Sequence, residues 1–280
     1  MRSLILVTND DGINSPGLWS LVEALQPLGE VMVVAPDRQW SGGGRSMPPD
    51  VTGRLRVESR MVNGELITAY AVDASPALAV AHAVLELAPR HPDLLVSGVN
   101  FGVNLGTEVT VSGTVGAALE GGAFGIPSMA LSLQMAHEFH LTGDENADYG
   151  TAAAFCGCFA AYLLDHPRWW DVDAWNINVP AEATVDTPWR VTRLSRWRYF
   201  VPIAPERQNG RGRPSYRVLA DCSAAERDSD VWALLVDGVI SVTPLSLDLT
   251  SRVPIADLKE ALEAGLTDMA PEMADVASVA

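Results

Sequence analysis

The residues best suited to chemistry are two adjacent carboxylates, Asp10 and Asp11, set between Asn9 and Gly12. They follow the apolar run Leu4-Ile5-Leu6-Val7, which reads as a first strand, and precede a helix-like segment that begins near Gly17. Consecutive strand side chains point to opposite faces, so the two carboxylates converge only where the chain has left the strand and begun to turn. Gly12 permits that turn because it takes a positive φ at little cost. Paired anions repel, and a divalent cation between them is one resolution. The other is that one aspartate caps the next helix while its neighbour is solvated. Further candidates are Trp40, Ser41 and Arg45 in a glycine-rich stretch from Pro36 to Ser46, and Asn100 after the run Asp93-Leu94-Leu95-Val96-Ser97. Ser112-Gly113-Thr114 precedes a helical pattern that runs from Thr114 to Ala123. A helix start offers free N–H groups and dipole potential to an anion, or is simply capped by Ser112 or Thr114.

The elements that must position these groups alternate between strand and helix. Leu18, Leu21, Val22, Leu25 and Leu28 recur at helical spacing, and Glu30 to Ala35 predicts a second strand. This β-α-β opening puts the loops after both strands on one edge of a parallel sheet. Thr52 to Ser59 and Glu65 to Val72 alternate around Asn63-Gly64, a hairpin signal. Helices are predicted over Ala74 to Leu87, Ala147 to Leu164 and Asp228 to Leu235, and further strands over Pro127 to Leu133, Asn176 to Pro180 and Gly238 to Pro244. The pattern predicts an α/β fold with a Rossmann-like, mostly parallel sheet and flanking helices. Residues 1–186 are expected to form the catalytic core. Residues 187–220, rich in arginine, tryptophan and proline around Asn209-Gly210, predict a projecting hairpin arm suited to oligomerisation. Residues 221–280 carry a helix, a strand and a tail with apolar positions Leu258, Leu262 and Leu266.

Composition narrows the function. A chain of 280 residues, 48% of them hydrophobic, can bury one large domain with an appendage. Acidic residues number 35 against 19 basic, and the net charge of −16 argues against a nucleic-acid polymer as partner. No cleavage pattern follows Met1-Arg2-Ser3 and no apolar run is long enough to span a bilayer, so a cytoplasmic location without a membrane partner is expected. The three cysteines, Cys156, Cys158 and Cys222, are expected to be reduced and buried. His137-Glu138-Phe139-His140 has its histidines at i, i+3 in a loop, which departs from the zinc-protease pattern and predicts surface residues. Asp10, Asp11, Ser41 and Asn100 offer only oxygen donors, which suits magnesium, manganese or calcium over zinc.

Many short motifs occur in one order: Asn9-Asp10-Asp11-Gly12, Pro16-Gly17, Ala35-Pro36-Asp37-Arg38, Ser41-Gly42, Ser97-Gly98-Val99-Asn100, Gly102, Asn104-Leu105-Gly106, Ser112-Gly113-Thr114 with Glu120-Gly121, Asn176 to Pro180, and Val242-Thr243-Pro244-Leu245. In these the chain resembles the SurE survival proteins, metal-dependent nucleoside-monophosphate phosphatases. The resemblance covers most of the chain. It implies one divalent metal per subunit, magnesium or manganese, on Asp10, Asp11, Ser41 and Asn100. It also implies a phosphate held by Asn9, Ser112, Gly113 and Thr114, and a homodimer or homotetramer that exchanges the hairpin and carboxy-terminal segment. The implied reaction is hydrolysis of a nucleoside 5′- or 3′-monophosphate by metal-activated water, with Asp10 and Asp11 as catalytic carboxylates. Apart from the resemblance, Trp40 and Arg45 beside Ser41 are candidate substrate contacts, an indole to stack on a base and a guanidinium to pair with phosphate; the alternative is that Trp40 covers the sheet edge and Arg45 pairs with a surface acid. The chain departs from the family's usual pattern at Ala74-Ser75-Pro76-Ala77-Leu78-Ala79, Arg45, Pro48, Glu108 and Val111, positions that bear on nucleoside preference and leave the inferred ligands intact. Two other classes fit the same groups: a nucleotide-binding module without turnover, and a sugar-nucleotide-dependent transferase.

Overall fold

The computed structural model describes residues 2–136, 139–140, 147–166, 168–212, 214–219 and 221–264. Residues 1–247 form one compact unit and residues 248–280 a second. In the first, nine strands make one sheet: β1 (Ser3–Thr8), β2 (Gly29–Pro36), β3 (Leu55–Val62), β4 (Glu65–Val72), β5 (Leu94–Phe101), β6 (Ser128–Leu133), β7 (Ala174–Val179), β8 (Trp189–Val191) and β11 (Ile240–Leu245). Their spatial order is β3-β4-β2-β1-β5-β6-β7-β11-β8. From β4 to β7 all neighbours are parallel, β3 and β11 run antiparallel to β4 and β7, and β8 is parallel to β11. The remaining strands, β9 (Phe200–Ile203) and β10 (Ser215–Val218), form a separate antiparallel pair.

Helices cover both faces of the sheet. α1 (Pro16–Leu25) and α4 (Tyr149–Asp165) pack on one side, α2 (Pro76–His82) and α3 (Gly113–Ala123) on the other, and α5 (Asp230–Leu235) precedes β11. β1 reads as an unbroken apolar run because it faces a core on each side: Ile5 and Val7 join the α1–α4 cluster, Leu4 and Leu6 the α2–α3 cluster. α2 begins as its sequence predicts, with Pro76 in the first turn and the Ser75 hydroxyl accepting from the Leu78 N–H at 3.2 Å. It ends in a wider π turn over Ala83–Leu87. Asn63 and Gly64 both take positive φ between β3 and β4, as do Asn209 and Gly210 between β9 and β10, which is what those dipeptides predict.

Three expectations are revised. The strand Trp189–Val191, expected within the arm, pairs in parallel with β11 at the edge of the central sheet, through backbone pairing that its short, exposed sequence does not reveal. The hairpin proper begins at Phe200 and lies over a small third cluster of Val103, Leu105, Val231 and Leu234. Cys156 and Cys222 are buried, but Cys158 is exposed, since two residues along a helix turn it to the opposite side. His140 is half-buried instead of lying at the surface, and Phe200 and Tyr216 of the hairpin cover its ring. His137 and Glu138 lie outside the described residues, as does Leu266. In the second unit, residues 255–264 form a helix on which Ile255, Leu258 and Leu262 are exposed and Lys259 pairs with Glu263 at 3.7 Å. No described helix is long and apolar enough to cross a membrane.

Candidate active site

The strand order reverses at β1, with β2 on one side and β5 on the other. Open α/β sheets bind ligands at such a point, beyond the carboxyl ends of the strands. Asp10 and Asp11 leave β1 there, and Asn100 stands near the end of β5. The turn that carries the carboxylates is held from within. The Gly12 N–H donates to Asn9 Oδ1 at 3.1 Å, Asn9 Nδ2 donates to the Gly12 carbonyl at 3.0 Å, and Gly12 itself sits at φ +95°. The Asn9 amide, expected on phosphate, thus closes the carboxylate turn in this structure. The Trp40 N–H donates to the Asp10 carbonyl at 2.7 Å, which docks the glycine-rich loop bearing Ser41 beside the first turn.

The two carboxylates differ in their surroundings. Asp10 is buried, and the Thr114 hydroxyl donates to its Oδ1 at 2.6 Å. Burial pushes its carboxyl above the usual range, while the Thr114 hydroxyl and the N–H groups of Gly113 and Thr114 draw it back down. The start of α3, expected to receive phosphate, therefore already faces an anion, Asp10 itself. Gly113 is required by this approach, because a Cβ there would sit 2.7 Å from the Asp10 Cβ. Ser112 acts as an ordinary cap, its hydroxyl accepting from the Val115 N–H at 3.1 Å. Asp11 is partly open to the surface, and receives Gln39 Nε2 at 3.1 Å on Oδ1 and the Phe101 N–H at 3.2 Å on Oδ2. Its carboxyl lies well above the usual range, first because burial disfavours the charge and then because Asp10 repels it.

A pair that carries its charge at such cost fits a divalent cation. Among the described residues no three His, Cys, Asp or Glu gather at one place, and the other expected donors, Ser41 and Asn100, offer neutral oxygens. Asn100 spends its Nδ2 on the Gly102 carbonyl at 2.7 Å, which fixes the amide. Ser41 is exposed on its loop, next to Trp40. The two expected substrate contacts are engaged elsewhere. Arg45 Nε donates to Glu120 Oε2 of α3 at 2.6 Å, and the Arg38 guanidinium lies 5.1 Å from the centre of the Trp40 ring.

The segment between β5 and α3 is anchored by buried polar groups. The Asn104 N–H donates to Asn178 Oδ1 at 2.8 Å, Asn104 Nδ2 donates to Ser132 Oγ at 2.9 Å, and the Asn176 and Asn178 amides donate to the Asn104 carbonyl at 2.8 and 3.0 Å. The buried Asp230 accepts from the Gly106 and Ser195 N–H groups at 2.7 and 2.9 Å. Sequence reasoning missed Gln39 and Asp230. Gln39 lies mid-loop with no periodic signal, and Asp230, just after Ser229 at a helix start, looks like a dipole partner.

The model of the family described as Survival protein SurE matches residues 5–201. The 5′-nucleotidase SurE of Thermococcus gammatolerans is 42% identical over 259 residues, which cover 92% of this chain and 95% of that protein. That of Methanothrix thermoacetophila is 40% identical over 265 residues, with 92% and 98% covered. The crystal structure of the SurE protein from Aquifex aeolicus superposes with a TM-score of 0.69 at 33% identity, over 92% of this chain and 99% of its own. The match spans both carboxylates, the glycine-rich loop, Asn100 and the start of α3, and the chain belongs to the SurE family.

Proposed function

We propose that this chain is a phosphatase that hydrolyses nucleoside 5′-monophosphates, and by the same chemistry 3′-monophosphates, to nucleoside and inorganic phosphate. One observation carries the reading: adjacent carboxylates at the switch point of the sheet, Asp10 of the pair facing the start of α3. The curated relatives named 5′-nucleotidase support the substrate class. Asp10, Asp11, Ser41 and Asn100 would hold one magnesium or manganese ion, as their hard oxygen donors suit. When bound, such a cation lowers the pKa of water and offsets charge on phosphoryl oxygens. The chain's own residues supply position. Thr114 fixes Asp10, Gln39 and the Phe101 N–H fix Asp11, and the α3 dipole favours the charge of a phosphate near Ser112, Gly113 and Thr114. The water oxygen bonds to phosphorus as the ester P–O bond breaks, and the ribose oxygen leaves and takes a proton. Either carboxylate has the chemistry to accept the proton that water loses. We infer a cytoplasmic homodimer or homotetramer, checked by sedimentation of a chain lacking the β9–β10 hairpin.

The test is phosphate release in water from a panel of mononucleotides, with Mg²⁺, with Mn²⁺ and after chelation. Release that needs metal is expected. Binding without release would instead identify a nucleotide-binding module, and turnover only with an added acceptor a transferase.

A further inference from the structure

We propose that His140, Gln39 and Tyr216 are positioning residues that hold Asp11 in its cation-binding geometry and couple the β9–β10 hairpin to the active site. This rests on the reading of Asp11 as a cation ligand. Both oxygens of Asp11 lean on His140 by separate routes. On one side, Gln39 Nε2 bridges Asp11 Oδ1 at 3.1 Å and the His140 carbonyl at 3.4 Å. On the other, the Phe101 N–H meets Oδ2, and the next residue, Gly102, packs against the His140 ring, where a Cβ would fall 2.8 Å from Nε2.

The His140 ring is itself set by the hairpin. Its Nε2 faces the Met135 carbonyl at 3.2 Å, which can only accept, so Nε2 carries the proton and Nδ1 accepts from the Tyr216 hydroxyl at 3.1 Å. Tyr216 stacks on the ring at 6.5 Å between centroids, and Phe200 meets it edge-on at 6.3 Å. These contacts join segments 76 and 101 residues apart in sequence, so a shift of the hairpin moves the His140 carbonyl and with it Gln39. Groups that orient a ligating carboxylate set metal affinity as well as turnover.

The experiment measures Mn²⁺ affinity by calorimetry on full-length, metal-free protein for wild type, Gln39→Leu, Tyr216→Phe and the double variant. Circular dichroism checks that each is folded, and Tyr216→Phe removes one hydroxyl and leaves the ring in place. Gln39→Leu is expected to weaken Mn²⁺ by about tenfold, the lower end for groups behind a metal ligand. Tyr216→Phe should weaken it by about threefold, and the double variant should lose clearly less than the product of the two, because the Gln39 route is shared and only the Gly102–Phe101 route remains for the second change to act on. Saturating Mn²⁺ should restore most of kcat, which a merely structural role would not produce. Wild-type affinity in Tyr216→Phe, or losses that multiply in the double variant, would overturn the proposal. Wild-type protein that binds Mn²⁺ but releases no phosphate would sink the proposed function and leave this affinity comparison standing.

Discussion

Two acidic sites of this molecule, Asp230 and the Asp10–Asp11 pair, differ in how their charge is met. Asp230 is fully buried, yet three backbone N–H groups, from Gly106, Ser195 and Val231, point at its oxygens at 2.7 to 2.9 Å. Asp11 has two donors, Gln39 and the Phe101 N–H, and beside it the charge of Asp10, whose own oxygens meet the Thr114 hydroxyl and the N–H groups at the start of α3. Burial raises the carboxyl pKa in all three. Burial alone therefore does not distinguish chemistry from structure. The distinguishing feature is whether a second carboxylate shares the site: Asp230 stands alone and ties loops together, while Asp11 is repelled by Asp10.

The largest expected effect breaks the pair. Asp11→Asn, or Asp10→Asn, keeps shape and removes charge, so kcat/KM should fall by more than about a hundredfold, the ceiling for residues behind the ligands. The thermal midpoint of the metal-free protein should not fall, since a repulsion has been removed. Wild-type turnover in Asp11→Asn at low metal would end the distinction drawn here. Asp230→Ala tests the other side. It leaves three N–H groups without their acceptor, at about 1 kcal/mol or more each, so urea unfolding should report a loss of roughly 3 kcal/mol. Mn²⁺ affinity of the folded fraction should stay near that of wild type, and a loss comparable to Asp11→Asn would merge the two regions.

A smaller change sharpens the comparison. In Gly113→Ala the new methyl presses on Asp10, whose Oδ2 lies 2.8 Å from the Cβ position, and turnover should fall roughly tenfold. The same crowding in a buried site should also lower stability to urea by about 1–3 kcal/mol, less than the loss in Asp230→Ala. The smallest effect is at Arg45, which is over a third exposed and paired with Glu120. Arg45→Ala should cost about 1 kcal/mol or less of stability. It should raise KM for mononucleotides more than it lowers kcat, if a terminal nitrogen also reaches phosphate. Steady-state kinetics with unchanged KM would confine Arg45 to its bridge with α3.

Much of this was legible because local rules and tertiary structure agree. The run Leu4 to Val7, the helical spacing after Gly17 and the two Asn-Gly turns specify their elements without help from distant residues. The placing of the carboxylate pair at a strand end was legible because the apolar run before it and Gly12 after it mark where the chain leaves the sheet. What stayed hidden depends on long-range contacts. Gln39 reaches a carbonyl 101 residues away, and His140 takes its meaning from a hairpin tyrosine 76 residues further on. Trp189–Val191 reads as part of the arm in sequence because a three-residue strand carries too little pattern to show which sheet it joins.

The asparagines of β7 carry one more consequence. Asn176 and Asn178 share a face with Ser132 of β6 and with Ser241 and Thr243 of β11, all buried, while Ile177 and Val179 point into the opposite, apolar core. A slip of β7 by one residue would drive two amides into that apolar core and set an isoleucine and a valine against the Asn104 backbone. An apolar strand between two cores tolerates several alignments; this one tolerates one. The polar stripe thus works as a key that admits a single register, and because Asn104 lies on the segment between β5 and α3, the same key sets where α3 begins relative to Asp10.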